Sequence, residues 1–385
     1  MRRYQKRKGP PGTEHGGLVV WWASLCYDIK RRDIAALVAV DALKRIHCDE
    51  RSNVPVNFIC EAHVANKGYT MIQIDTRQLG ATGITVPSMG IGVWSWGDTG
   101  FWGYGSTHTQ EDIGQAYKAC LDIGLNFFDT AEVYGGGESE RILGECRRED
   151  GRPIIIASKF APLPNRFSAR TLMAALDASL ERLGVDAIDL YQIHFPFTLI
   201  QTDALMDALA LAVRAGKVRA VGVSNYSARH MRRAHTRLAR HDIPLASNQV
   251  QYNLLHRKPE KNGVLSACSE LDIALIAYSP LAQGLLTGKY RPGDKTYVPG
   301  GPRRFMPAYS ARRLRKIEPL LQEMERIAQA HGKTIAQVAL NWLLCKDECI
   351  IPIPGAKNLR QAQDNAGAVG WRMTAAEMAR LDQIG

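Results

Sequence analysis

The chain has 385 residues, 45% of them hydrophobic and 23% charged. That is ordinary globular composition, without the run of roughly 18 apolar residues that a membrane helix needs. The net charge is +11, but residues 1–70 carry twelve Lys/Arg against seven Asp/Glu and so hold five of those eleven charges. No basic–aromatic interleaving accompanies the excess, so neither a nucleic acid nor a membrane is expected as a partner.

The first 70 residues read as an extension. They open on "MRRYQKRKGPPGTEHGGLVVWWASLCYDIKRR", a basic front and a short apolar run from Leu18 to Tyr27, with no A-x-A-like cleavage site and with charge immediately afterwards. Glu14, Asp28, Asp33, Asp41, Asp49 and Glu50 make the segment more acidic than an organelle transit peptide. The protein is therefore expected in the cytoplasm, or in a plastid if it comes from a photosynthetic eukaryote. The segment 1–70 is expected to be dispensable, or upstream sequence translated from a misplaced start. The eight cysteines, at 26, 48, 60, 120, 146, 268, 345 and 349, form no C-x-x-C pair, which suits thiols in a reducing compartment.

From Met71 the local signals are clean. Residues 71–76 and 84–86 alternate apolar and polar side chains about a glycine-bearing turn, which predicts a β-hairpin. Short apolar strands follow at 89–92, 126–129, 154–158, 188–194, 220–223, 247–249, 275–277 and 350–352. Amphipathic helices separate them, among them 110–121, 169–183, 203–215, 228–240 and 335–344. Eight β/α units in roughly 300 residues predict a closed parallel α/β fold, a (β/α)8 TIM barrel over 71–385. The hairpin caps its N-terminal end, and long loops stand at its C-terminal face. An open doubly wound sheet would bring a G-x-G-x-x-G turn after its first strand, and neither "GYG" at 103–105 nor "GGG" at 135–137 meets that pattern.

The C-terminal ends of barrel strands form the active-site mouth. Asp129 ends strand two, Lys159 strand three and His194 strand four, while Tyr134 lies just past strand two. Singly, each has a plain structural role: a turn cap, a solvated strand end, a packed loop ring, a satisfied core histidine. Together they form a proton-transfer set. A tyrosine titrates near pH ~10, an adjacent ammonium favours its phenolate, a carboxylate holds the ammonium, and a histidine orients a carbonyl. Ser139 with Glu140 is expected to open the helix after the triple glycine, which reads as a turn. The strand ends supply no metal cluster or carboxylate pair, so no metal is expected and lyase or hydrolase chemistry is disfavoured.

"GLNFFDTAEVYG" resembles the G-x-x-x-x-D-T-A-x-x-Y-G signature of the aldo-keto reductase family. "SKF", "YQIHFP", "GVSNYS", "NQVQYN", "YSPLAQGLLTGKY" and "IPIPGAKN" follow in the family's order, so the resemblance covers about 72–385. "GIGVWSWGD", "GPRR" and "GAVGWRMTAAEM" look closer to a plant-plastid and cyanobacterial branch that includes pyridoxal-reductase-like enzymes. The resemblance implies an NADP(H)-dependent oxidoreductase that reduces a small aldehyde or ketone. Tyr134 would be the proton donor, Lys159 its activator, Asp129 the partner of Lys159, and His194 the group that positions the carbonyl. A cofactor-binding sensor or accessory subunit with vestigial activity, as in a channel-associated branch, is the second reading.

The same resemblance distributes the cofactor. Ser224, Asn225 and Gln249 would hold the nicotinamide carboxamide, Tyr278 would stack on its ring, and Gly92 and Val93 would also bind the cofactor. Ser279, Pro280, Leu281, Gln283 and Gly284, with Lys289, would line the pyrophosphate. Gly355, Ala356 and Lys357 would meet the 2′-phosphate, and Gln361, Asp364 and Asn365 would surround ribose and adenine. Many relatives carry a Lys and an Arg where this chain has Gly355 and Gln361, so Lys357 and Arg360 are the basic residues left nearby. Trp94 matches a substrate-pocket position. Trp96, Trp102 and Tyr104 either extend that aromatic wall or pack on the rim, and Arg303 and Arg304 either fold over the cofactor or stay solvated.

Overall fold

The computed structural model describes residues 74–196, 199–294 and 296–385; the extension 1–70 and residues 71–73 lie outside the described residues. A short antiparallel hairpin comes first, β1 (Thr76–Gln78) and β2 (Thr85–Pro87), pairing Thr76 with Pro87 and Gln78 with Thr85. Its first strand lies later than the alternation at 71–76 suggests. Burial accounts for the shift. Leu79, Ile84 and Val86 enter the barrel floor and so set the register, whereas Ile74 only borders the outer core.

Eight parallel strands follow in sequential order: β3 (Ile91–Gly92), β4 (Phe127–Asp129), β5 (Ile155–Phe160), β6 (Ile188–Ile193), β7 (Val218–Ser224), β8 (Leu245–Gln251), β9 (Ala274–Tyr278) and β10 (Ile350–Pro352). The ring closes where the Gly90 and Gly92 amides donate to the Pro352 and Pro354 carbonyls, at 3.0 and 2.8 Å. That seam is tight at Gly92, where a Cβ would stand 3.0 Å from the Ile353 carbonyl oxygen. The architecture is the predicted TIM barrel, with each predicted strand present and its ends displaced by at most two residues.

Helices Gln110–Asp122, Arg170–Leu183, Thr202–Arg214, Ala228–Ala239 and Ile335–Lys346 pack outside the ring, where the amphipathic periodicity places them. The helix after the triple glycine runs Glu138–Asp150 and is capped by Gly137 in the left-handed region, not by Ser139 and Glu140. Those two side chains face inward and take tertiary partners instead. Ser139 Oγ donates to the Val93 carbonyl at 2.8 Å, and buried Glu140 accepts from Ser158 and Arg182.

The strand period of two builds the lumen in layers. Phe127, Ala157, Leu190 and Ile276 form an apolar floor with Leu79 and Val86 of the hairpin. Two residues further along the same strands stand Asp129, Lys159, Gln192 and Tyr278. Strand alternation therefore aims both layers into the lumen, the lower one apolar and the upper one polar.

Candidate active site

Lys159 is fully buried at the end of β5. Its Nζ donates to Asp129 Oδ1 at 2.5 Å, to the Thr130 carbonyl at 2.7 Å and to Tyr134 OH at 3.3 Å. Burial works against the ammonium. The charges of Asp129 and Tyr134, with the hydrogen bonds to both, outweigh it and leave Lys159 above the ordinary lysine value. Asp129 Oδ2 accepts from Gln249 Nε2 at 2.7 Å and from Gln192 Nε2 at 3.2 Å, so the carboxylate is held on both oxygens. His194 follows β6, its amide donating to the Phe160 carbonyl at 2.8 Å, and its ring meets Tyr134 edge-on at 5.7 Å. The four predicted residues thus converge.

Three glycines let the tyrosine loop pass close to the first barrel loop. Gly135, Gly136 and Gly137 have φ of 57°, 67° and 96°, and a Cβ on Gly135 would lie 2.7 Å from the Gly97 carbonyl oxygen. Around Tyr134 stands an aromatic wall. Trp94 lies 6.0 Å from it and stacks on Phe101 at 5.4 Å, while Phe195 stacks on His194 at 4.2 Å. Trp96 is not part of this wall. It is fully buried against Phe128, with its indole N–H donating to the Ala356 carbonyl. Tyr104 stands edge-on to His108 instead, at 5.6 Å. Arg303 folds over the loop, 4.7 Å from the Trp102 ring, and Arg304 lies over Phe305.

The residues expected around a nicotinamide are bonded to one another. Asn225 Nδ2 donates to Ser224 Oγ at 2.5 Å, Tyr278 OH donates to Asn225 Oδ1 at 3.1 Å, and Ser224 Oγ donates to the Gln249 carbonyl at 2.9 Å. Asn225, Ser279, Ala282 and Gln283 all have positive φ, 65°, 59°, 46° and 58°. Such backbone costs on the order of 1–3 kcal/mol per residue and clusters at ligand sites. The Gln283 amide nitrogen is buried with no hydrogen-bond partner among the described residues, as an anion acceptor there would explain. These loops fit a dinucleotide pyrophosphate.

At the adenosine end the expected residues are bonded within the protein. Lys357 is buried, its Nζ donating to the Trp102 carbonyl at 2.5 Å. Asp364 accepts from Thr334 Oγ1 at 2.7 Å and from Gln337 Nε2 at 3.2 Å, which ties it to the preceding helix. Gln361 Oε1 accepts from the Lys357 amide at 3.3 Å, while Gly355 and Asn365 are buried beside them. Among the described residues no group of three or more His, Cys, Asp or Glu could hold a metal ion, and the five described cysteines are free thiols.

Comparison with known proteins decides the lineage. The aldo/keto reductase family model matches residues 88–385. The chain belongs to that family. A chloroplastic pyridoxal reductase from Arabidopsis thaliana is 39% identical over 312 residues, 78% of this chain and 83% of that protein. The NADP(+) aldo-keto reductase yakc of Schizosaccharomyces pombe is 33% identical over 323 residues, 80% and 91% of the two chains. Among solved structures, a glycerol dehydrogenase from Gluconobacter oxydans superposes with a TM-score of 0.70 at 30% identity, covering 80% of this chain and 94% of that one. Family membership makes the chain an oxidoreductase of carbonyl substrates. Among the described residues no helix is long and apolar enough to cross a membrane.

Sequence reasoning missed some of the residues that complete this family site. Gln192 lies two residues before His194 on β6, so strand alternation already put its amide on the lumen side with the histidine. Glu132 is a second case. It accepts a bidentate pair from Arg166 and the amide of Ala161 at 2.6 Å, pinning the loop after β5 beside the tyrosine. No local pattern pairs residues 34 apart.

Proposed function

We propose that this chain is an NADP(H)-dependent carbonyl reductase acting on a flat aldehyde or ketone. The observation that carries the reading is the fully buried Lys159 ammonium, 2.5 Å from Asp129 and 3.3 Å from Tyr134 OH. Held there, the ammonium favours the phenolate and so makes Tyr134 a competent proton donor to a carbonyl oxygen. His194, edge-on to the tyrosine, orients that oxygen, and Gln192 and Gln249 keep the Asp129 carboxylate aimed at the lysine. When bound, the nicotinamide supplies the hydride. Ser224, Asn225, Gln249 and Tyr278 would hold its ring, and Ser279, Pro280, Leu281, Gln283 and Gly284 with Lys289 its pyrophosphate.

Trp94, Phe101 and Phe195 support a flat substrate, because rings offer it wide apolar faces. The name of the Arabidopsis relative puts pyridoxal on the test panel. NADPH oxidation is measured with pyridoxal, benzaldehyde and short aliphatic aldehydes, on wild type and Tyr134→Phe. Loss of the hydroxyl should lower kcat about a hundred- to ten-thousand-fold, with NADPH still bound. Undiminished turnover in Tyr134→Phe sinks the assignment, and tight NADPH binding without any turnover in wild type favours the accessory-subunit reading.

A further inference from the structure

Two hydrogen bonds fasten the first barrel loop to the turn after β10. The Trp96 indole N–H donates to the Ala356 carbonyl at 2.5 Å. One residue on, Lys357 Nζ donates to the Trp102 carbonyl at 2.5 Å, with Thr107 Oγ1 at 3.4 Å. The same ammonium lies 4.9 Å from the centre of the Trp102 ring. Trp102 in turn meets Phe101 edge-on at 4.6 Å and Trp94 at 5.5 Å, the two rings that stack beside Tyr134.

We infer that Lys357 is a positioning residue for the aromatic wall of the carbonyl pocket rather than the counter-charge of a cofactor 2′-phosphate. The inference rests on the carbonyl-reductase reading above. Lys357 is 8% exposed, and its ammonium meets two oxygens and an aromatic face. Drawing it out to a phosphate would strip the Trp102 carbonyl of a charge-assisted donor and loosen the ring beneath Trp94. Arg360, three residues on, is exposed in the first turn of the helix Leu359–Ala366, so a basic group remains for the phosphate without dismantling the wall.

Lys357→Met keeps the aliphatic stem and removes the ammonium. The KM of the full chain for a flat aromatic aldehyde should rise about tenfold with kcat within about twofold. The ratio of NADPH to NADH dissociation constants, read by fluorescence titration without substrate, should stay within about twofold of wild type. An NADPH affinity that falls about tenfold while NADH affinity holds overturns the inference, since that is the signature of a lost phosphate ligand. An unchanged aldehyde KM overturns it too. If Lys357→Met does not fold, Arg360→Gln decides: a lost NADPH preference supports the inference, and an intact one overturns it. A wild type that binds both dinucleotides equally leaves the aldehyde KM as the deciding readout. A wild type that reduces no aldehyde defeats the carbonyl-reductase reading alone, and the ratio of dissociation constants still tests Lys357.

Discussion

The floor and the mouth of the barrel are built from the same strands, two residues apart, and are held together by opposite means. On the floor, Phe127, Leu190 and Ile276 pack against Leu79 and Val86, and each such side chain gains roughly 1.5–3 kcal/mol from burial. At the mouth, Asp129 and Lys159 form an ion pair whose side chains are 3% and 0% exposed. Desolvation offsets most of such a pair's attraction, so its worth lies in geometry rather than in stability. The difference teaches that the floor adds net stability while the intact pair at the mouth is close to balanced, so a floor truncation should cost stability alone and a broken pair should cost both stability and chemistry.

The hardest test removes one partner at the mouth. Asp129→Asn leaves the buried Lys159 ammonium without its carboxylate, which should cost roughly 3–5 kcal/mol in urea unfolding and abolish carbonyl reduction. A variant as stable as wild type would show that the pair is not what orders the mouth. The floor gives the converse. Leu79→Ala should cost about 2–4 kcal/mol in the same unfolding experiment, with kcat and KM unmoved. A fall in kcat beyond about twofold would break the separation and couple the hairpin to the site.

The smallest expected effect belongs to the loop that flanks the mouth. His108 is buried, its Nε2–H donating to the Ser95 carbonyl at 2.9 Å. Burial first and the Lys357 charge second push its imidazole down to about 4, against the opposing pull of the Ser95 carbonyl and Asp112. The folded value lies below the ordinary 6.5, so between those limits the unfolded chain takes up a proton that the folded chain refuses. Its contribution is full above about pH 6.5 and is lost as pH falls toward about 4. Thermal melts at about pH 7 and about pH 4.5 should show a smaller drop in His108→Gln than in wild type. An equal drop would place the acid sensitivity elsewhere.

Much of the mouth was legible because strand ends are local features. Asp129, Lys159 and His194 each close an apolar run, and the glycines after Tyr134 announce a turn. Trp96 and Lys357 were harder. Trp96 suited a pocket wall or rim packing and Lys357 suited a phosphate, and both form hydrogen bonds across the seam between the first loop and the last turn, 260 and 255 residues apart. Ser139 took a tertiary partner where a local cap was expected.

By itself, then, the sequence determined the eight strand–helix repeats, the closed parallel barrel and the residues that stand at its strand ends. Periodicity and turn chemistry act over a few residues, and a linear chain displays them directly. Only the tertiary structure decided which oxygen each buried ammonium faces, which tryptophan stands beside Tyr134 and which bonds across the seam. Those choices arise when ring closure brings the first and last β/α units together, and each buried donor there takes whichever carbonyl the packing presents.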